Sequence, residues 1–243
     1  MKDNILAKIW APAKFRKIFS LVKPDRKLRV LDVGAGCNSC IVTRKWFGEI
    51  EYHGIDRIDS GYYNDFRKDY EIMDKFFNIN LEASDLSEVP NDYYDVIIFT
   101  HCIEHIRPGS FVVEQLSKKL RTAGVMYIEF PGPKSLGLPF DINFSIDPTH
   151  IMMYDFRQVA QFARNSGLCI VQAGTRRSMR EIIFISPFGI MLCLYSYLRG
   201  KGLSGRGLLD LTGYSDYVLC QKRNIVEKDG KFYWMIVHPE NAP

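Results

Sequence analysis

Residues 28–36 read LRVLDVGAG, a short apolar run closing on Asp32, Gly34 and Gly36. Glycines at this spacing let a strand turn sharply and let a ligand touch the backbone. The next apolar run, YHGID, ends on Asp56, about one βαβ step further along the chain. A glycine turn followed by an acidic strand tip places an adenosine-containing cofactor across the carboxyl ends of parallel strands.

The rest of the chain fits that frame. Strands are expected at 28–33, 51–55, 75–80, 94–100, 124–130, 168–172 and 216–221, with helices at 40–47, 111–120 and 156–166, the last ended by Gly167. Strands alternating with helices imply a Rossmann-like, doubly wound α/β fold. Its sheet is seven-stranded and mostly parallel, with helices on both faces. In such a sheet the useful residues sit at the strand ends. Residues 1–27 read as an N-terminal amphipathic helical segment broken at Pro12. Residues 28–222 form the main domain, interrupted at 181–213, and 223–243 form an extension with a strand over 232–237.

At 243 residues the chain can bury one sizeable core. A net charge of +4 without a dominant basic run argues against nucleic acid. Of six cysteines, Cys37 and Cys40 form a CxxC, but no second pair stands at zinc spacing, so buried thiols and no metal are expected. The basic N-terminus is interrupted by Lys8, Lys14, Arg16 and Lys17, unlike a cleavable leader, and reduced thiols suit the cytoplasm.

After Gly36 comes Cys37-Asn38-Ser39, so the third glycine of a dinucleotide fingerprint is missing. The order Leu-Asp-Val-Gly-Ala-Gly, then Asp56, then YDVIIFTHCIEHI, resembles class I S-adenosylmethionine-dependent methyltransferases acting on small molecules, sugars and lipids. The resemblance covers about residues 28–175 and implies the cofactor S-adenosylmethionine. By position it implies that Asp32, Gly34 and Gly36 line the methionine part of the cofactor and that Asp56 accepts the ribose hydroxyls. Asn80, Leu81 and Glu82 would border the adenine, and Thr100 and His101 would lie under the sulfonium. The family often has aspartate where Asn80 stands.

Methyl transfer to a hydroxyl needs alignment and a proton acceptor. His150, in DPTHIMMYDF, is the first choice for that base, with Asp147 as a neighbour able to orient it. His101 is the second choice. If 101–105 begin a helix, His101, Glu104 and His105 share one face. Some quinone-pathway methyltransferases resemble this segment and hold a divalent metal there, but histidine at the first position departs from their carboxylate. Tyr127 and Glu129 read as structural.

Residues 182–198 are almost uncharged, interrupted by Pro187 and Gly189 and flanked by arginines. They suit a lid over the acceptor site, a peripheral contact with a membrane surface, or a dimer contact. The acceptor implied is a small molecule, a glycan or a lipid-linked intermediate. Two rival readings stay open: an NAD-dependent oxidoreductase, disfavoured by the missing glycine, and a non-catalytic protein that keeps only the cofactor pocket.

Overall fold

The structure, a computed structural model, describes residues 11–22, 26–36, 38–57, 69–82, 86–138, 143–199, 209–223, 225–228 and 231–234. The strands are β1 (Leu28–Val33), β2 (Ile50–Asp56), β3 (Lys75–Asn78), β4 (Tyr94–Thr100), β5 (Leu120–Pro131), β6 (Leu168–Thr175) and β7 (Ser215–Lys222). They form one seven-stranded sheet in the order β3-β2-β1-β4-β5-β7-β6. From β3 to β5 neighbours pair parallel, and β7 runs antiparallel to both β5 and β6. The winding reverses between β1 and β4, which is where a doubly wound sheet opens its ligand crevice.

The central strands alternate between two cores, as the two-residue period of a strand requires. Leu31, Val33, Ile97, Phe99, Met126 and Ile128 enter one core. Leu28, Val30, Val96, Ile98, Val125 and Tyr127 enter the other. Helices α1 (Ala13–Phe19) and α2 (Ser39–Phe47) cover the second face through Phe15, Ile18 and Phe47. Helices α3 (Gly109–Lys119) and α4 (Phe156–Asn165) cover the first through Val112, Leu116, Val159 and Ala163. Fully buried side chains of this kind each contribute about 1.5–3 kcal/mol.

Local signals explain the helix ends. Asp155 caps α4 by accepting from the backbone N–H of Arg157 and Gln158, and the Gln158 side chain returns the bond, a capping box typically stabilising by about 1 kcal/mol. Gly167, at φ +78°, takes the left-handed conformation that stops the helix.

Several boundaries differ from expectation. The third strand stops at Asn78, and β6 runs on to Thr175. The fifth begins at Leu120, ahead of the Gly124 that turn chemistry suggested. In the C-terminal extension β8 (Ile225–Lys228) pairs with β9 (Lys231–Trp234). Residues 235–237 of the expected strand lie outside the described residues, as do 1–10 of the N-terminal segment and Cys37. The interruption after β6 contains a widened helical turn, Glu181–Ile185, then α5 (Ser186–Leu198) and α6 (Leu209–Thr212). No described helix is long and apolar enough to cross a membrane. The described cysteines, Cys40, Cys102, Cys169, Cys193 and Cys220, are free thiols.

Candidate active site

The turn after β1 is built on Asp32. Its carboxylate is buried, and Oδ2 accepts from the Tyr52 hydroxyl at 2.6 Å and from the Ser39 hydroxyl. Burial pushes the Asp32 carboxyl up, and the two hydroxyl donors work against that shift. Asp32 therefore braces the glycine turn from beneath. Gly34 has φ +78°, and a Cβ there would stand 3.1 Å from Cys102 Cβ. The N–H groups of Gly34 and Ala35 donate to Ile55 O at 2.9 and 3.0 Å, holding the turn against the tip of β2.

Asp56 ends β2. Its Oδ1 accepts from the Arg57 backbone at 2.7 Å and its Oδ2 from the Tyr70 hydroxyl at 3.2 Å. A Cβ on Gly36 would stand 3.4 Å from that same Oδ2, so glycine keeps the space between turn and carboxylate narrow and open. Asn80 follows β3, its Oδ1 accepting from Glu82 N–H at 3.1 Å, and Leu81 beside it is buried. The register places Asp56 opposite Asn78, which brings the Asn80 segment alongside the acidic tip.

Thr100 ends β4 opposite Glu129. His101 follows with φ +51°, its N–H donating to Glu129 O at 2.8 Å. That backbone places the ring between two carboxylates: Nδ1 lies 3.6 Å from Glu104 Oε1 and Nε2 lies 3.5 Å from Glu129 Oε1. Burial favours the neutral ring, but Glu104 and Glu129 outweigh it and push the His101 pKa up to about 9. At neutral pH the ring is an imidazolium.

Glu129 is also bonded by Arg176 Nη1 at 2.5 Å and by the Tyr127 hydroxyl at 2.5 Å. Burial opposes its charge, yet Arg176 and His101 hold its carboxyl far below the usual range. Arg176 also forks onto Asp210, with Nε at 3.1 Å and Nη2 at 2.6 Å. Sequence reasoning took Tyr127 and Glu129 as structural and passed over this cluster. A glutamate inside the buried strand GVMYIEF was the available signal.

His150 lies on the other side of Glu104. Its Nδ1 meets Phe144 O at 2.8 Å, so the carbonyl fixes the proton on Nδ1 and leaves the lone pair of the neutral ring on Nε2. Nε2 faces Glu104 Oε1 at 3.9 Å and Asp147 Oδ2 at 3.8 Å. Thus Phe144 O orients the ring, and Asp147 instead accepts from Thr149 N–H at 2.9 Å and from its hydroxyl. Glu104 is 1 % exposed, and neither carboxylate oxygen has a hydrogen-bond donor.

Residues Ile103–His105 form a single tight turn. The face the spacing suggested, His101 with Glu104 and His105, is only partly assembled. Glu104, His105 and His150 are the residues that gather, each offering one ligand atom within 4.8 Å of the others. His105 Nδ1 is also 3.0 Å from Thr149 O.

Residues 9–173 match a family of methyltransferase domains. The chain belongs to that family. This methyltransferase is of class I, with S-adenosylmethionine as its methyl donor. No curated protein matches its sequence. It is similar to an Archaeoglobus fulgidus S-adenosylmethionine-dependent methyltransferase structure, with a TM-score of 0.56, 21% identity, and coverage of 90% of this chain and 94% of that one. A Mesorhizobium loti S-adenosylmethionine-dependent methyltransferase gives a TM-score of 0.61 at 9% identity, covering 87% and 98% of the two chains. Phosphoethanolamine N-methyltransferase 2 of Haemonchus contortus, solved with S-adenosyl-L-methionine, gives 0.60 at 14% identity, with 86% of this chain on 52% of that one. At such identities the likeness establishes the fold.

The geometry fits the donor. Gly34 and Gly36 leave backbone bare where side chains would intrude, and a carboxylate stands across that gap at Asp56.

Proposed function

We propose that this methyltransferase is an O-methyltransferase acting on a small molecule, a glycan or a lipid-linked acceptor, with His150 as general base. The observation that carries this reading is the His150 ring, held by Phe144 O with its Nε2 facing Glu104. S-adenosylmethionine supplies a methyl group on a sulfonium, already activated for displacement. The protein's part is to align and to take a proton.

Asp32, Gly34 and Gly36 would line the methionine moiety, Asp56 would accept both ribose hydroxyls, and Asn80 and Leu81 would border the adenine. Two acceptor-only oxygens suit a vicinal diol. Thr100 and His101 would close the floor near the transferring methyl. As an imidazolium at neutral pH, His101 has no lone pair to act as base, so its role is to carry fixed charge between Glu104 and Glu129. The acceptor hydroxyl would pass its proton to His150 Nε2 as its oxygen takes the methyl. Glu104 and Asp147, both beyond hydrogen-bond distance, would stabilise the imidazolium so formed. The free thiols support a reducing, cytoplasmic setting. Nothing in the charge distribution supports a nucleic-acid acceptor.

The test is transfer of a labelled methyl from S-adenosylmethionine into an extract of the source cells. Label in a small-molecule or lipid-soluble fraction, lost in His150→Gln, is expected. Label confined to an amine product, or unaffected by His150→Gln, would contradict the reading. No label at all would leave a non-catalytic binder.

A further inference from the structure

Helix α5 is attached to the protein by a seam of small residues. Ser186 and Cys193 are buried, and Gly189 lies buried between them at the spacing of one helix face. The large side chains lie outside. Ile183, Phe188, Met191, Leu194, Tyr195 and Leu198 are between 55% and 79% exposed. Exposed apolar side chains contiguous on this scale mark a surface that something covers.

Its placement is specific. The interruption leaves the sheet at Thr175 and returns at Ser215, where Arg176 N–H donates to Ser215 O at 2.7 Å and Gly132 N–H to Tyr214 O at 2.8 Å. This is the rim where β5 ends at Pro131, beside Glu129 and His101. The bare helix therefore rises from the edge of the active site.

Its charge narrows what covers it. Arg177 before the helix and Arg199 after it are exposed. Residues 182–209 contain Arg199, Lys201 and Arg206 and no aspartate or glutamate. Lys201 and Arg206 lie outside the described residues. An apolar face with cationic ends complements an anionic interface. A second copy packed isologously would set these arginines against their own equivalents. The 13 residues of α5 make about 20 Å of helix, short of the about 30 Å of a bilayer's hydrocarbon core, so the helix suits the interface plane.

We propose that α5 and the turn before it dock the enzyme on an anionic lipid bilayer. Its apolar face sinks into the headgroup boundary, and Arg177 and Arg199 lie at the level of the lipid phosphates. Docking there sets the active-site rim against the membrane, which suits an amphiphilic acceptor; only this last point rests on the reading of the site given above.

Sedimentation of the full chain with phosphatidylcholine vesicles, alone or mixed with phosphatidylglycerol, tests the proposal. Wild type should pellet with mixed vesicles and bind pure phosphatidylcholine at least about tenfold more weakly. Phe188→Ser/Met191→Ser/Leu194→Ser and, separately, Arg177→Glu/Arg199→Glu should stay in solution. Both variants should bind S-adenosylhomocysteine as wild type does, which shows that they fold. Wild type that ignores mixed vesicles, or a triple serine variant that pellets equally well, overturns the proposal. A dimer in the ultracentrifuge that the serine variant dissolves, without vesicle binding, overturns it in favour of a second copy. Failure of every protein to bind S-adenosylhomocysteine would strike the cofactor reading and leave the vesicle result to stand by itself.

Discussion

Arg176 bonds Glu129 at 2.5 Å, joining the first residue after β6 to the interior of β5 across 47 positions of sequence. Because Arg176 also grips Asp210, one guanidinium ties the sheet to both ends of the chain segment that carries α5. Glu129 in turn faces His101, so the anchor of that segment and the floor of the site share a carboxylate.

Breaking this anchor leaves a buried charge. Arg176→Met strands Glu129, which is 2 % exposed, and should destabilise the protein by about 3–5 kcal/mol. Adding Glu129→Gln should recover a good part of the loss. Denaturant midpoints of the two single variants and the double variant check this.

His101 makes stability depend on pH. Its folded pKa, about 9, lies above the ordinary 6.5, so its contribution is complete below pH 6.5 and is lost as pH rises through about 9. The difference in unfolding midpoint between wild type and His101→Gln should therefore shrink across that window. A difference that is constant from pH 6 to pH 10 would remove the charge from His101.

Gly34→Ala should cost about 1–2 kcal/mol from backbone conformation alone, because φ is +78°, and its Cβ would press on Cys102. Affinity for S-adenosylhomocysteine should fall with it. Thermal unfolding and calorimetric titration of the variant read the two effects separately.

His150→Gln should lower the turnover of methyl transfer by about 10²–10⁴ while leaving the affinity for S-adenosylhomocysteine intact. A parallel loss of cofactor affinity would recast His150 as a brace for the loop that contains Phe144.

Much of this was legible in the chain. LRVLDVGAG, Asp56 and YDVIIFT each carry their signal within a few adjacent residues, because a strand and its terminal turn are local structures. The winding and the strand ends followed from them. The rest depends on distant pairs. Nothing near Glu129 announces Arg176 or Asp210. The carbonyl that orients His150 belongs to Phe144 and carries no side-chain signature. The helical spacing over 101–105 grouped His101 with Glu104 and His105, but the positive φ of His101 turns its ring toward Glu129, and loop closure brings His150 into the cluster. The apolar run 182–198 was visible, whereas which of its residues face inward required the packing of Ser186 and Cys193.

The most direct test of the account is calorimetric titration with S-adenosylhomocysteine, run beside NAD and repeated for Asp56→Ala. Loss of two hydroxyl bonds to a carboxylate amounts to about 3 kcal/mol, on the order of 100-fold in Kd. The account predicts micromolar binding by wild type, no binding of NAD, and a loss of that size in the variant. Wild type that prefers NAD, or an Asp56→Ala protein that binds S-adenosylhomocysteine unchanged, would contradict it.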